Sequence, residues 1–155
     1  MATRLREPQL PDYEADGVGW AEAQAAALLA RRVDLLDWEN LAEEIADVGK
    51  HQREHLESAL RLVVMHLLKW DHQSERRSRS WWTTIANQRH RATKRLRENP
   101  SLRPRLPEII EDAYRTARLD AADEMDVPIK LLPHECPFSF DEIMTRPIEW
   151  DGELA

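Results

Sequence analysis

Three groups of side chains in this chain of 155 residues have types and spacings that could do chemistry. The first is His51-Gln-Arg-Glu54-His55, which sets two imidazoles one helical turn apart with a carboxylate beside the second. That is the H-x-x-E-H order in which two histidines hold zinc and a glutamate acts as base. A third ligand is missing at any recognisable spacing, and so are the paired Glu-x-x-His motifs of di-iron bundles. The pair therefore reads as a solvated helix face, and neither metal nor cofactor is expected.

The second group centres on His66 and Lys69, three residues apart in the most apolar stretch of the chain. A buried ammonium without an anion is costly, so something must answer Lys69. The structural reading is a carboxylate such as Glu43, Glu44 or Glu75, or a lysine head that reaches water along its own stem. The functional reading has His66, Lys69, Gln73, Arg76, Arg77, Arg79 and Ser80 converge at a helix junction as an anion or phosphate pocket. Arginine's planar fork suits such a ligand, and a helix starting at Trp81 would add its positive end.

The third group is Arg89, Arg91, Lys94, Arg95 and Arg97, a basic helical face that could track phosphates or pair with acidic helices. Cys136, the sole cysteine, lies close to prolines on both sides with no histidine–acid set to activate it, and reads as a small buried hydrophobe. A lone cysteine forms no internal disulfide and gives no reason to invoke an oxidising compartment.

These groups sit in a chain of net charge −7 whose charge is unevenly spread. Residues 1–50 carry −6, residues 51–105 carry +8 and residues 106–155 carry −9. A basic middle between acidic ends can signal a polyanionic partner, or it can be cancelled inside the fold. The longest nearly unbroken apolar run, Leu62–Leu68, is far short of a bilayer span, and the amino-terminal segment is charged and proline-bearing. A cytoplasmic protein without membrane contact is expected.

The elements that must position these residues are helices. Gly19–Arg32 is rich in alanine and other strong helix formers. Asp34 is placed to cap a second helix in which Trp38, Leu41, Ile45 and Val48 share one stripe and Gly49 is a plausible stop. Lys50 to about Gln73 follows without Gly or Pro. Leu60, Leu62–Met65, Leu67, Leu68 and Trp70 cover nearly every direction around its axis, which predicts the enclosed centre of a bundle.

Gln73–Ser80 reads as a polar link, Trp81–Asn99 as a helix ended by Asn99-Pro100, and Ser101 onward as a further helix with Pro107 as a kink or first turn. Residues 127–137 hold three prolines and are expected to cross the bundle as non-helical chain. Ser139–Glu142 is a capping box for a last short helix that Pro147 closes. The expected fold is all-α: a bundle of about five helices, with an extended arm over residues 1–17, one helical domain over 18–146 and a tail over 147–155. Six tryptophans should be mostly core, with Trp81 or Trp82 reaching a groove or interface and Trp150 serving as a dimer contact or fold-back strap.

From His66 to Ile85 the chain reads HLLKWDHQSERRSRSWWTTI. This resembles the H-L-L-K-W, Q-x-E-R-R-S-x-S-W, T-I block of a bacterial family known as domain of unknown function 29. DYEADGVGWAEAQAAALL, LDWENLAEEIADVGK, NPSLRPRLPEIIEDAYRTAR and LLPHECPFSFDEIM resemble further segments of that family in the family's order. The departure is Gly17-Val18-Gly19, where bulkier residues would lead into the first tryptophan. The resemblance implies an all-helical fold and a bacterial source, and it carries over no catalytic residue.

With no nucleophile motif, glycine-rich phosphate loop or complete metal set, the sequence favours a binding or regulatory module over an enzyme. Such a module would act through a protein partner or through self-association as a homodimer. Two alternatives stand beside it: a nucleic-acid-binding regulator using Arg89–Arg97, and a ligand-binding protein or enzyme with an anion pocket around Lys69 and Arg77, bounded by Trp81.

Overall fold

The computed structural model describes residues 10–150. The expected arm over 1–17 lies outside the described residues up to residue 9, and the expected tail over 147–155 does so from residue 151. The fold is all-α, with five α helices and no strand among the described residues: α1 Gly17–Leu29, α2 Trp38–His72, α3 Arg79–Glu98, α4 Leu106–Met125 and α5 Phe140–Thr145. Short 3-10 turns join them at Val33–Leu35, Ser74–Arg76, Pro100–Arg105 and Ile129–Leu131. The chain forms two compact units, Met1–Gly49 and Lys50–Ala155.

In the first unit, side-chain caps decide where the helices begin. Asp12 Oδ1 accepts from the Glu14 and Ala15 amides at 3.0 Å, and Asp16 then caps α1 by accepting from the Gly19 amide at 2.9 Å. A Cβ on residue 19 would collide with the Asp16 carboxylate, which gives the unusual Gly19 a physical reason. The helix thus starts two residues earlier than Gly19. It stops at Leu29, short of Arg32, because Arg31 adopts a left-handed conformation (φ 57°) and the chain turns back.

The buried Gln24 side chain clasps the next segment, donating to the Leu35 carbonyl at 3.2 Å and accepting from the Asp37 amide at 2.8 Å. Asp34 does not cap α2; it lies in the 3-10 turn, paired with Arg32. Asp37 does the capping, accepting from the amide and side chain of Asn40 and from the Trp20 indole. Those hydrogen bonds, the Asn40 side chain foremost, hold its carboxyl below the usual carboxylate range. Gly49 does not end the helix either: α2 runs through it to His72. A single interior glycine costs about 1 kcal/mol, too little to stop a helix supported on both sides.

The second unit is built around the apolar half of α2. Leu56, Leu60, Val63, Val64, Leu67 and Leu68 have no measurable exposure, and Met65 and Trp70 are nearly as enclosed. Ile85, Ala92 and Leu96 of α3 and Ile109, Ala113, Ala117 and Ala121 of α4 cover them, with Ile143 of α5 fully buried in the same core. Three cations of α2 make four ion pairs with α4 in matching order. Arg53 contacts Glu108 and Asp112 at 3.0 and 2.9 Å, Arg61 contacts Asp120, and Lys69 contacts Glu124. Both partner series ascend together, so the two helices run parallel.

Pro107 stands in the first turn of α4 and does not kink it; the residues from Pro100 to Arg105, including Ser101, form a 3-10 turn before it. Asp126 in left-handed geometry ends the helix. The proline-bearing return, which includes a 3-10 turn at Ile129–Leu131, is then pinned along α4. Tyr114 donates to the Pro133 carbonyl at 2.5 Å, and Arg118 Nη2 donates to the carbonyls of Ile129 and Leu132 at 3.1 and 3.0 Å.

The capping box at α5 forms as its sequence dictates, with Ser139 and Glu142 exchanging bonds. The last carbonyls of α5 are then satisfied from α3. Arg89 donates to Ile143, Arg146 and Glu142 at 2.7, 2.9 and 3.3 Å. Burial, and then the neighbouring Arg146 charge, lower the Arg89 pKa from its ordinary value. Arg146 in turn grips Asp71 with both terminal nitrogens at 2.9 and 2.6 Å. Replacing Arg89 with alanine orphans these carbonyls; a loss of about 2–3 kcal/mol is expected in urea unfolding, with faster amide exchange in α5. Unchanged stability and α5 protection would show that apolar packing alone holds the element.

Candidate functional site

The junction between α2 and α3 brings His66, Lys69, Gln73, Arg77 and Trp81 into one neighbourhood of the second unit. His66 is buried, and its Nδ1–H donates to the Leu62 carbonyl at 2.8 Å, one turn back in the same helix. Trp81 meets the imidazole edge to face, with centroids 6.5 Å apart. Lys69 is buried, with its ammonium 4.4 Å from the centre of the Trp81 ring and paired with Glu124. The anion that answers Lys69 is therefore Glu124 of α4, not Glu43, Glu44 or Glu75. Its carboxylate is about half exposed, so the pair forms at the edge of the core, where water still reaches the anion.

The other members of the block are committed to backbone or face outward. Gln73 donates to the Met125 carbonyl at 3.1 Å, tying the end of α2 to the end of α4. Arg77 Nε donates to the Trp70 carbonyl at 2.9 Å, while its guanidinium lies 5.1 Å from the Trp70 ring centre. Ser78 caps α3 by accepting from the Trp81 amide, so part of the helix end that might have held an anion is met internally. Arg76, Arg79 and Ser80 are exposed. The centre of the block is a packed cluster of the Lys69–Glu124 pair, the His66 imidazole and the Trp81 indole, with His66 Nδ1, Gln73 Nε2 and Arg77 Nε directed at the protein's own carbonyls.

The basic residues of α3 separate by role. Arg89 is spent on α5, and Arg95 donates to the Gln52 side chain at 2.8 Å. Lys94 stands 3.9 Å from Glu98 of its own helix, while Arg91 and Arg97 are exposed. His51 and His55 lie on an exposed face, and no cluster of three metal-ligating side chains occurs among the described residues.

Cys136 is half-buried and donates to the Phe138 carbonyl at 3.4 Å; burial pushes its thiol pKa up, away from a reactive thiolate. It borders a cleft of about 750 Å³ along α4, where Arg118 Nε is buried without a partner among the described residues.

Sequence reasoning missed Glu124 and Asp71; of the two, Glu124 left a signal. Arg53, Arg61 and Lys69 recur every eight residues on α2, and Glu108, Asp112, Asp120 and Glu124 recur in steps of four and eight on α4. Matching cation and anion ladders of this kind mark neighbouring helix faces. The tryptophans also divide differently from expectation. Trp20 and Trp70 are core, Trp81 and Trp150 pack against the core at partial burial, and Trp38 is 64 % exposed. Trp82, at the margin of exposure, donates to the Ile148 carbonyl at 3.2 Å.

The model of the family described as domain of unknown function DUF29 matches residues 13–148. The chain belongs to this family. No curated protein and no solved structure matches it. The DUF29 match spans both units, so the capped first helix, the α2–α4 ion pairs and the α2–α3 junction all lie within the family's extent.

Two measurements test the junction. Removing the anion by Glu124→Gln leaves Lys69 buried beside neutral groups and should cost about 1–3 kcal/mol, whereas Lys69→Met replaces the pair's cation with an apolar chain and should stay within about 1 kcal/mol of the parent. A Lys69→Met loss as large as that of Glu124→Gln would mean that the ammonium is itself a net stabiliser.

Burial, reinforced by the nearby Lys69 charge, lowers the His66 pKa; the Leu62 carbonyl and Glu124 oppose this in part. The unfolded chain therefore binds a proton that the folded one refuses. The resulting stability is fully present above about pH 6.5 and is lost as pH falls through that value towards the depressed folded one. His66→Gln should flatten the stability change between about pH 7 and pH 5, read by urea midpoints. A parent and variant with parallel pH curves would remove His66 from that role.

Proposed function

We propose that this DUF29 protein is a protein-contact module whose contact face is the first half of α2. The observation that carries the reading is the exposed seam of Trp38, Ile45 and Val48, at 64, 70 and 63 % exposure, with Leu41 half-covered between them. Steps of three, four and three residues place all four on one line of the helix, the spacing that seats a partner helix. Apolar side chains of this size, adjacent and uncovered, mark interaction sites more often than scattered surface residues do.

Charge indicates the partner's chemistry. Residues 1–50 carry −6, and Glu44 is the acidic residue in this half of α2 that helical spacing sets nearest the seam, with Glu39, Glu43 and Asp47 on the far side. A second copy would bring two like net charges together, whereas an amphipathic helix flanked by Lys and Arg would complement this unit. Burying three large apolar side chains contributes on the order of 5 kcal/mol, comparable with the minimum cost of association, so charge decides whether the contact persists. The anion-pocket alternative loses support from Lys69, which is already paired with Glu124, while Arg77 commits only its Nε, to the Trp70 carbonyl.

A photo-cross-linking residue in place of Val48, introduced in cells at native abundance, tests the reading. A discrete adduct is expected, mapping to a basic amphipathic segment of another protein and abolished by Ile45→Glu. An adduct pattern no different from that of a cross-linker at the exposed Arg115 would overturn it.

A further inference from the structure

We propose that the cleft between the middle of α2 and the middle of α3 binds the phosphate group of a small phosphorylated metabolite. This inference concerns the second unit and stands apart from the α2 seam. The cleft has a volume of about 330 Å³, enough for a small ligand. His55 and Ser58 line it from α2, and Gln88, Arg91, Lys94 and Arg95 line it from α3. Residues three and seven apart lie on one face of a helix, so His55, Ser58 and Leu62 form one wall and Gln88, Arg91 and Arg95 the other. Ala59, which lines the cleft from α2, and Ala92 of α3 are both buried.

The chemistry of the lining selects an anion. It holds three permanent cations together with His55, Ser58 and Gln88, and no carboxylate, in a protein whose net charge is −7. Elsewhere in the unit, cations such as Arg53, Arg61, Lys69 and Arg146 have acidic partners from another element. Arg91 has none among the described residues, and Lys94 has only Glu98 of its own helix, 3.9 Å away. Arg95 is held in place by the Gln52 side chain, which presets its guanidinium without neutralising it. A phosphate presents several acceptor oxygens and two charges, and arginine forks, an ammonium, a serine hydroxyl and an amide are the donors that meet them.

The walls carry no tryptophan, tyrosine or phenylalanine on which a run of bases could stack, and Arg89, which might have extended a phosphate track along α3, is consumed by α5. These features favour a compact phosphomonoester over a nucleic-acid strand.

The test is an amide-shift titration of the full chain in phosphate-free, low-salt buffer, using inorganic phosphate and glucose 6-phosphate as probes. Saturable shifts are expected around Ser58, Arg91 and Lys94, with the phosphomonoester tighter than the free ion. The Arg91→Gln/Lys94→Gln variant should bind about tenfold more weakly or worse, while Arg115→Gln binds as the parent does. Both altered residues are exposed, so the variants should keep the parent's circular dichroism and unfolding midpoint; a variant that does not is replaced by charge-retaining Arg91→Lys, which should weaken binding less. Shifts that never saturate, or equal binding by parent and variant, would overturn the proposal. So would a uridine decamer that binds at lower concentration and is not displaced by glucose 6-phosphate, since the surface would then be reading a polymer backbone.

Discussion

An ammonium group at the closed end of an apolar helix constrains everything around it. Lys69 follows Leu67 and Leu68 and precedes Trp70, so the periodicity that buries the helix buries the charge as well. The cost of that burial is met by one carboxylate, one aromatic face and proximity to the surface through Glu124. Glu124 can serve only if α4 runs parallel to α2 in the observed register, and Trp81 only if α3 begins where Ser78 caps it. The lysine thus links the placement of three helices, and the ion pairs at Arg61 and Arg53 repeat the α2–α4 register toward the other end.

The same accounting separates structural from available charge. Three cations of the basic middle segment, Arg53, Arg61 and Lys69, pair with carboxylates of the acidic last segment across α2 and α4. Arginines that touch carbonyls, such as Arg77, Arg89 and Arg118, act as movable caps for backbone that helices leave unsatisfied. Among the cations without an acidic partner, Arg91 lines the α2–α3 cleft, whereas Arg76, Arg79, Arg97, Arg103, Arg105 and Lys130 are exposed elsewhere. Exposed apolar side chains occur in several places, including Val18, Leu29, Leu119 and Leu131, and on the first half of α2 they line up at helical spacing. A protein that satisfies most of its groups internally makes such leftovers informative.

Much of this was legible in the chain. The all-round apolar stretch of α2 predicts an enclosed helix because no amphipathic face remains to meet water, and Val63–Trp70 is buried throughout, while Arg61 and Leu62 before it are partly exposed. The Ser139–Glu142 box and the Asn99-Pro100 stop are local hydrogen-bond and steric facts, settled within a few residues, and they hold. Cap choice was less legible, because Asp34 and Asp37 are equivalent in type. Only the long-range bonds from Trp20 and Gln24 select Asp37. Gly49 carries the letter of a stop signal but meets no left-handed turn there.

The sequence by itself determined the helical class, the buried rod and the demand that Lys69 find an anion, because periodicity and desolvation act through residue type and spacing alone. Tertiary structure decided which anion, and therefore which positive charges are spent and which remain. That choice depends on the register between helices more than fifty residues apart in the chain, where several carboxylates are chemically interchangeable until packing brings one of them within reach.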